Sequence, residues 1–281
     1  MRLNRNMYSL NIFRSYSNSI SKGSKALNNI STGQKINSAK DNPNKIAQNE
    51  SLKIQLLSSQ KAEQNIQDTT SMIQTFDGAM QEMNDTLSRM KELAVQGSNG
   101  ALSEDDRNAI QNEIVELRNG LNDLVNNTSF NGVSMSDSSQ ESGLTGLDVK
   151  YSDALVGSMG DETIKIPTYN LSMSNLGIDQ LDITTGGGDN ITIVDNAIDM
   201  VSRVRGNYGA IQNSLEETAN NLSAKNINYQ SAQSSIGDAD IAKEYIEYST
   251  SQILIQSSIG LIAQANNIPQ DALQIIGNIP R

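Results

Sequence analysis

The sequence predicts a mainly α protein: an elongated antiparallel coiled-coil helical rod with a small β-containing cap, its N- and C-terminal helices paired. Three observations carry this expectation. Two interior stretches repeat apolar residues every seven positions for four heptads or more. Both ends carry shorter stripes of the same period. Between the interior stretches lies a segment rich in Ser, Gly and Asp with short β-like runs. Apolar a and d positions sustained over several heptads describe helices that pack lengthwise against one another.

Taken in order, Phe13, Ile20 and Leu27, with Tyr16, Gly23 and Ile30 three residues after each, form a terminal helix. A stripe this short makes a helix that is marginal alone in water, so something else must cover it. Asp41-Asn42-Pro43 then opens a long helix, with Asn42 able to cap and Pro43 at the first position, where its missing N–H costs nothing. Its seam is Ile66, Ile73, Met80, Leu87 and Ala94, with Thr69, Phe76, Met83 and Met90 between them, and it stops at Gly97-Ser98-Asn99-Gly100. Unbroken, it would run about 80 Å at 1.5 Å per residue.

A second rod helix starts at Ser103, where Asp106 makes an acidic variant of the capping box. Ile110, Ile114, Leu117, Leu121 and Leu124 are its stripe, and it ends in Asn126-Asn127-Thr128-Ser129. The short break before it predicts an antiparallel neighbour, and Asn131-Gly132 a turn. Residues 130–190 read as a weakly stable β-containing cap, with runs at 147–151 and 163–166 and a closing Gly186-Gly187-Gly188. Val194, Val201, Tyr208, Leu215, Leu222, Tyr229 and Ile236 follow without a miss, supported by Ala197, Val204, Ile211, Thr218 and Ala232. Lys225 interrupts the second row, where fraying or exposure is expected. This helix of about 65 Å exceeds the roughly 50 Å breadth of a compact globule of the same length, which is why a rod is predicted. Ile241, Tyr248, Ile255 and Ile262, with Tyr245 and Ile259, form the last helix. The expected domains are a terminal pair, 1–42 with 238–281, and a rod, 43–237, that includes the cap.

Composition narrows function. The 281 residues include no Cys, His or Trp, which excludes Ser-His-Asp triads, thiolate nucleophiles, disulfides and His/Cys zinc sites. A hydrophobic share of 36% makes a thin core unless partners help to bury it. A net charge of −11 argues against nucleic acid, and no run is long enough for a membrane helix. Arg2 and Arg5 are not followed by the apolar stretch of a signal peptide. Taken alone this reads as cytoplasmic, although a Cys-free chain suits export equally. Met1 to Lys40 holds seven basic residues and no acidic one, whereas 238–281 holds five acidic residues against Lys243 and Arg281. Ends of opposite sign are expected to attract.

Candidate chemistry is sparse. Gly186-Gly187-Gly188 lacks the Lys-Ser/Thr of a phosphate loop. Ser19-Ile-Ser-Lys22 and Ser58-Ser-Gln-Lys61 spell Ser-x-x-Lys without its companion motifs. Asp238 and Asp240 fall short of a calcium set and read as a helix cap. Asn170-Leu-Ser and Asn221-Leu-Ser are weak acceptor spellings in a chain rich in Asn and Ser. No enzyme, cofactor or metal is expected.

Several segments together resemble bacterial flagellin. They are Lys35-Ile-Asn-Ser-Ala-Lys-Asp41, Glu92-Leu-Ala-Val-Gln96, Phe130-Asn-Gly132, Asn220-Asn-Leu-Ser-Ala224, Asp238-Ala-Asp-Ile-Ala-Lys-Glu244 and Ala263-Gln-Ala-Asn266. Ser174-Asn-Leu-Gly-Ile178 is similar to flagellins of Gram-positive anaerobes. The likeness covers both ends and all the long helices in order. It implies a subunit that self-polymerises into the extracellular flagellar filament for swimming. The arms would stay disordered in the free monomer and fold on assembly. The implied partners are an export chaperone and the type III export apparatus, hook-associated junction and cap proteins, and Toll-like receptor 5. The receptor patch would be Arg89, Leu93 and Glu113, a surface the family also uses for subunit packing. Packing in the filament core is expected of Phe13, Ile20, Leu27, Tyr248, Ile255, Ile259 and Ile262, so that Ile255→Asp would block polymerisation.

Some residues depart from the family's pattern. Pro43 and the following Asn-Lys-Ile-Ala-Gln replace its small, Gly-containing stretch, and Asp41-Asn42-Pro43 is more like the hook–filament junction protein. Gly277 to Arg281 extends past the usual end, and Lys91 stands where many flagellins have Arg. The alternatives are a junction-type structural protein and a secreted innate-immune receptor ligand acting as a monomer.

Overall fold

The computed structural model describes residues 6–135, 147–184 and 189–277, with side chains described as far as residue 267. Arg2, Arg5, the triplet Gly186-Gly187-Gly188 and the extension after Gly277 lie outside the described residues. The elements are α1 (Met7–Thr32), α2 (Pro43–Gly97), α3 (Glu104–Asn127), β1 (Ser129–Phe130), β2 (Val133–Ser134), β3 (Val149–Leu155), β4 (Thr163–Tyr169), α4 (Asp189–Gly237) and α5 (Ile241–Gly277). A single 3-10 turn, Ile178–Gln180, precedes α4. The chain forms two compact units: an arm unit of Met1–Ile54 with Asn228–Arg281, and a core unit of Gln55–Ile227. The borders at 54 and 228 fall inside α2 and α4, not at the helix ends 42 and 238 used for the sequence-based domains.

The local signals act as read. Asn42 Oδ1 accepts the Lys45 amide at 3.1 Å, so α2 starts at Pro43. The Ser103 hydroxyl accepts the Asp106 amide at 3.2 Å and the Asp106 carboxylate accepts the Ser103 amide at 3.3 Å, completing the capping box of α3. Asn131 and Gly132 take φ of 48° and 83°, the left-handed pair that a two-residue hairpin turn requires between β1 and β2.

In the core unit, Ile66, Ile73, Phe76, Met80, Met83, Leu87 and Met90 of α2 share one buried cluster with Val194, Ala197, Val201, Val204, Tyr208, Leu215 and Leu222 of α4. The pairs Asp77–Arg205 at 2.8 Å and Lys91–Asp195 at 2.6 Å run in opposite numerical order, so the two helices are antiparallel. Helix α3 adds Ile110, Ile114, Leu121 and Val125 to the same cluster. Each fully buried side chain of this kind contributes roughly 1.5–3 kcal/mol, which makes the three-helix seam the main stabilising feature of the unit. Lys225 is exposed and reaches the Glu162 carboxylate at 3.8 Å while α4 continues through it.

The β segment lies along this seam. β3 and β4 pair antiparallel from Val149↔Tyr169 to Leu155↔Thr163. Asn65 donates to the Leu155 carbonyl at 3.1 Å, Asn207 to the Tyr169 hydroxyl at 3.1 Å, and Gln111 to the Leu181 carbonyl at 3.2 Å, so three helices hold the segment. Tyr208 donates to the Pro167 carbonyl at 2.9 Å and is 3% exposed. Burial pushes its hydroxyl pKa well above the ordinary 10.0. A pKa raised by folding contributes stability that is full below pH 10 and is lost as pH rises from there toward the folded value. Tyr208→Phe is therefore expected to cost about 1 kcal/mol at pH 8 through the orphaned Pro167 carbonyl. It should also lose less stability than the unaltered chain between pH 8 and 11. Urea midpoints at the two pH values measure both; equal losses in the two proteins would refute the linkage.

In the arm unit α1 and α5 run antiparallel. Asn6 donates to the Ala265 carbonyl at 2.7 Å, and Asn29 to the Glu244 carboxylate at 3.1 Å. Their shared face is made of small residues: Ser19, Gly23 and Ala26 against Ser251, Ser258 and Ala265, all buried. A Cβ on Gly23 would lie 3.2 Å from that of Ser251, so the helices touch almost backbone to backbone there. At the end of α1, Gly33 turns the chain at φ 68°. The Lys35 amide then donates to the Gly237 carbonyl at 2.7 Å and the Ala239 amide to the Gly33 carbonyl at 2.9 Å, clasping the two connecting loops together.

Candidate functional site

The surface most in need of explanation is the outer face of the arm unit. Phe13, Ile20 and Leu27 of α1 are 56%, 42% and 51% exposed, and Ile259 of α5 is 54% exposed. Tyr248, Ile255 and Ile262 instead lie half-buried on the face of α5 that carries Ser251, Ser258 and Ala265. The seven residues expected in the filament core thus fall into two groups, one at the α1–α5 contact and one open to solvent. The cause is a choice between two rows of the same period in α1. The row of Tyr16, Gly23 and Ile30, flanked by Ser19 and Ala26, packs inward because small side chains let the helices approach. The row of Phe13, Ile20 and Leu27 is left outside.

Sequence reading missed part of this surface. Leu10, Ile246, Ile253, Leu254 and Leu261 are also exposed, at 44–65%. The available signal was charge: from Tyr248 to Gln270 the chain carries no ionisable side chain except the Tyr248 phenol, although most of α5 is too open to be a buried core helix.

The patch expected at Arg89, Leu93 and Glu113 divides differently. Arg89 donates to Glu113 at 2.9 Å and to Glu92 at 2.9 Å, and these carboxylates hold its guanidinium above the ordinary pKa. Leu93 is 2% exposed and belongs to the core cluster. Within one chain, Arg89 and Glu113 therefore reach solvent while Leu93 does not. The stripe of α2 is wider than a two-helix seam because residues of both α3 and α4 share its buried cluster, and Leu93 belongs to that cluster.

The loop clasp is organised by Asp41. Its carboxylate accepts the Lys25 ammonium at 3.0 Å, the amides of Asn37 and Ser38 at 3.3 and 3.2 Å, and the Ser38 hydroxyl at 3.2 Å. The Lys25 contact is the largest cause of a carboxyl pKa below the ordinary 3.8. Asp240 caps α5 by accepting the amides of Ala242 and Lys243. The two Ser-x-x-Lys spellings assemble no dyad: Ser19 Oγ donates to the Ser15 carbonyl, and Lys61 Nζ to Gln64. Among the described residues no three acidic side chains cluster as a metal site, and no helix is long and apolar enough to cross a membrane.

A sealed three-helix core, joined in one chain to paired terminal helices with large apolar side chains left open, defines a helical structural protein. The chain belongs to the bacterial flagellin family. The bacterial flagellin N-terminal helical region matches residues 3–141 and the bacterial flagellin C-terminal helical region residues 191–276. A flagellin of Bacillus subtilis (strain 168) is 33% identical over 98% of this chain and 100% of its own length. The flagellar filament 30.7 kDa core protein of Treponema maltophilum is 31% identical over 88% of this chain and 90% of its own. A structure described as a flagellar hook-associated protein from Vibrio parahaemolyticus superposes with a TM-score of 0.57 at 14% identity. It covers 70% of this chain and 100% of that one, a likeness of fold alone.

Proposed function

We propose that the chain is a structural subunit that polymerises with copies of itself into the bacterial flagellar filament, and that the open apolar rows of α1 and α5 are buried between copies. The observation that carries this is the exposure of Phe13, Ile20, Leu27 and Ile259 on a helix pair whose fully buried contact is made by Ser, Gly and Ala, with Tyr248, Ile255 and Ile262 half-buried beside it. Such side chains gain roughly 1.5–3 kcal/mol each on full burial, a gain that the single chain leaves unrealised. Copies meeting through different surfaces head to tail, without closing a ring, extend indefinitely. The family names agree, since a relative is a flagellar filament core protein.

The same reading makes the domains of the working molecule a terminal pair that orders on assembly and a helical core that folds alone. Export of the unfolded arms by the flagellar type III apparatus with a chaperone, and contact with junction and cap proteins at the filament ends, belong to this proposal. In dilute monomer, segments 1–40 and 240–281 are expected to be cut by protease before the core unit. Limited proteolysis with mass mapping checks this, and arms that resist as long as the core would defeat coupled assembly. Polymerisation itself is tested by adding filament seeds or ammonium sulfate to pure monomer and viewing negatively stained grids. Long uniform tubes are expected; short rings alone would favour a junction-type protein.

A further inference from the structure

The charge of the molecule is divided unequally between its units. Residues 55–227 hold 10 basic and 25 acidic side chains, a balance of −15, whereas 1–54 with 228–281 hold 11 basic and 7 acidic, a balance of +4. Within the arm unit, a cleft of about 230 Å³ between α1, the loop 33–42 and the start of α5 is lined by four lysines, Lys22, Lys25, Lys35 and Lys45. Three carboxylates share its wall, and one of them, Asp41, is ion-paired. Asp41 is held by Lys25 at 3.0 Å, and Glu244 accepts from Asn29 at 3.1 Å. Asn29 is neutral and leaves Glu244 its charge, so Glu244 and Glu247 share the wall with the ammonium groups of Lys22, Lys35 and Lys45, which make no ion pair among the described residues. All three lysines are exposed.

We propose that this lysine cleft is a docking site for the acidic core unit of a second copy of the chain, so that copies meet basic arm to acidic core. The proposal rests on the filament reading and names the surfaces that join. Two considerations favour this occupant over other polyanions. Chains of net charge −11 repel one another unless their contacts oppose unlike patches, and the only strongly charged patches of opposite balance that a homopolymer brings together are its own. The core unit also carries its surplus at exposed positions such as Glu104 and Asp105, where the first turn of α3 favours acidic side chains. Contacts of this kind steer association and fix register more than they add affinity, and they weaken as salt shortens the screening length to about 8–10 Å.

The test uses filaments grown from an equal mixture of ¹⁵N-labelled and unlabelled full chain, treated with a water-soluble carbodiimide. This reagent joins an amine to a carboxylate in direct contact with loss of water, and mass spectrometry reads the joined peptides. The expected result is mixed-isotope peptides linking Lys22, Lys35 or Lys45 to Asp or Glu of residues 55–227. Filaments in which these lysines link only to carboxylates of 1–54 and 228–281, or to none, would overturn the site. In parallel, the K22E/K35E/K45E variant should elongate wild-type seeds at least tenfold more slowly at low salt, with unchanged circular dichroism; an unchanged rate would count equally against it. Failure of the unaltered chain to polymerise at all would overturn the filament reading, and the docking site with it.

Discussion

Leu27→Asp and Ile259→Asp are each expected to abolish seeded filament growth while leaving the circular dichroism of the monomer unchanged. Both side chains stand more than half exposed on the outer face of the arm unit, so in the monomer an aspartate at either place is solvated and costs little. In a filament that buries this face, the same carboxylate would lose its water without gaining a partner. An unpaired buried charge costs about 3–5 kcal/mol. At about 1.4 kcal/mol per tenfold, the critical concentration for assembly rises roughly 140- to 4,000-fold. Sedimentation of seeded samples over a range of protein concentrations measures this directly. Ile255→Asp, the substitution that the sequence suggests, is a poorer probe. Ile255 is half-buried against α1, so its replacement should weaken the helix pair inside one chain as well as any contact between chains. Normal filaments from Leu27→Asp would mean that the exposed row is not the assembly surface.

Features that depend on neighbouring residues were legible in the sequence. The Asn42-Pro43 start of α2 and the Ser103/Asp106 box of α3 are each set by a side chain bonding to backbone a few positions away, and the Asn131-Gly132 turn by two residues that tolerate positive φ. The phase of an apolar repeat is harder to read, because a seven-residue period states how often a face recurs and not which of two adjacent rows meets the partner. In α1 the larger row, Phe13, Ile20 and Leu27, looks like the seam on hydrophobicity, yet close approach of two helices favours the row with Gly23. The burial of Leu93 was hidden for a related reason. Four-residue spacing places it on the Arg89 side of α2, but the width of the buried stripe is decided by how many helices pack on α2, and that number is a property of the tertiary structure.

The largest loss of stability is expected from Phe76→Ala in the core unit. Phe76 is 1% exposed, and its ring stacks on Tyr208 at 6.5 Å between centroids. Tyr208 in turn meets the edge of Tyr169 of β4 at 5.8 Å. One aromatic column therefore ties α2, α4 and the hairpin together, next to the Arg205–Asp77 pair. Truncating Phe76 removes the transfer energy of the ring and leaves a cavity that the long helices, held on both sides by buried neighbours, cannot close; such changes cost about 3–5 kcal/mol. For a domain of this size, each kcal/mol lowers the melting temperature by about 2–4 °C, so a drop of about 6–20 °C should appear in thermal unfolding. Phe76→Leu keeps most of the volume and should lose well under half as much. The near-ultraviolet signal of the tyrosines should weaken with the alanine variant before any change in helix content, because the stacked partner of Tyr208 is gone while the helices remain. The substitution leaves the open rows of the arm unit untouched. Filament growth well below the new melting temperature should therefore persist, the reverse of the pattern expected for Leu27→Asp. If both substitutions abolished growth at low temperature, assembly would depend on the core seam as well as on the arm surface, and the division of labour between the two units would be wrong.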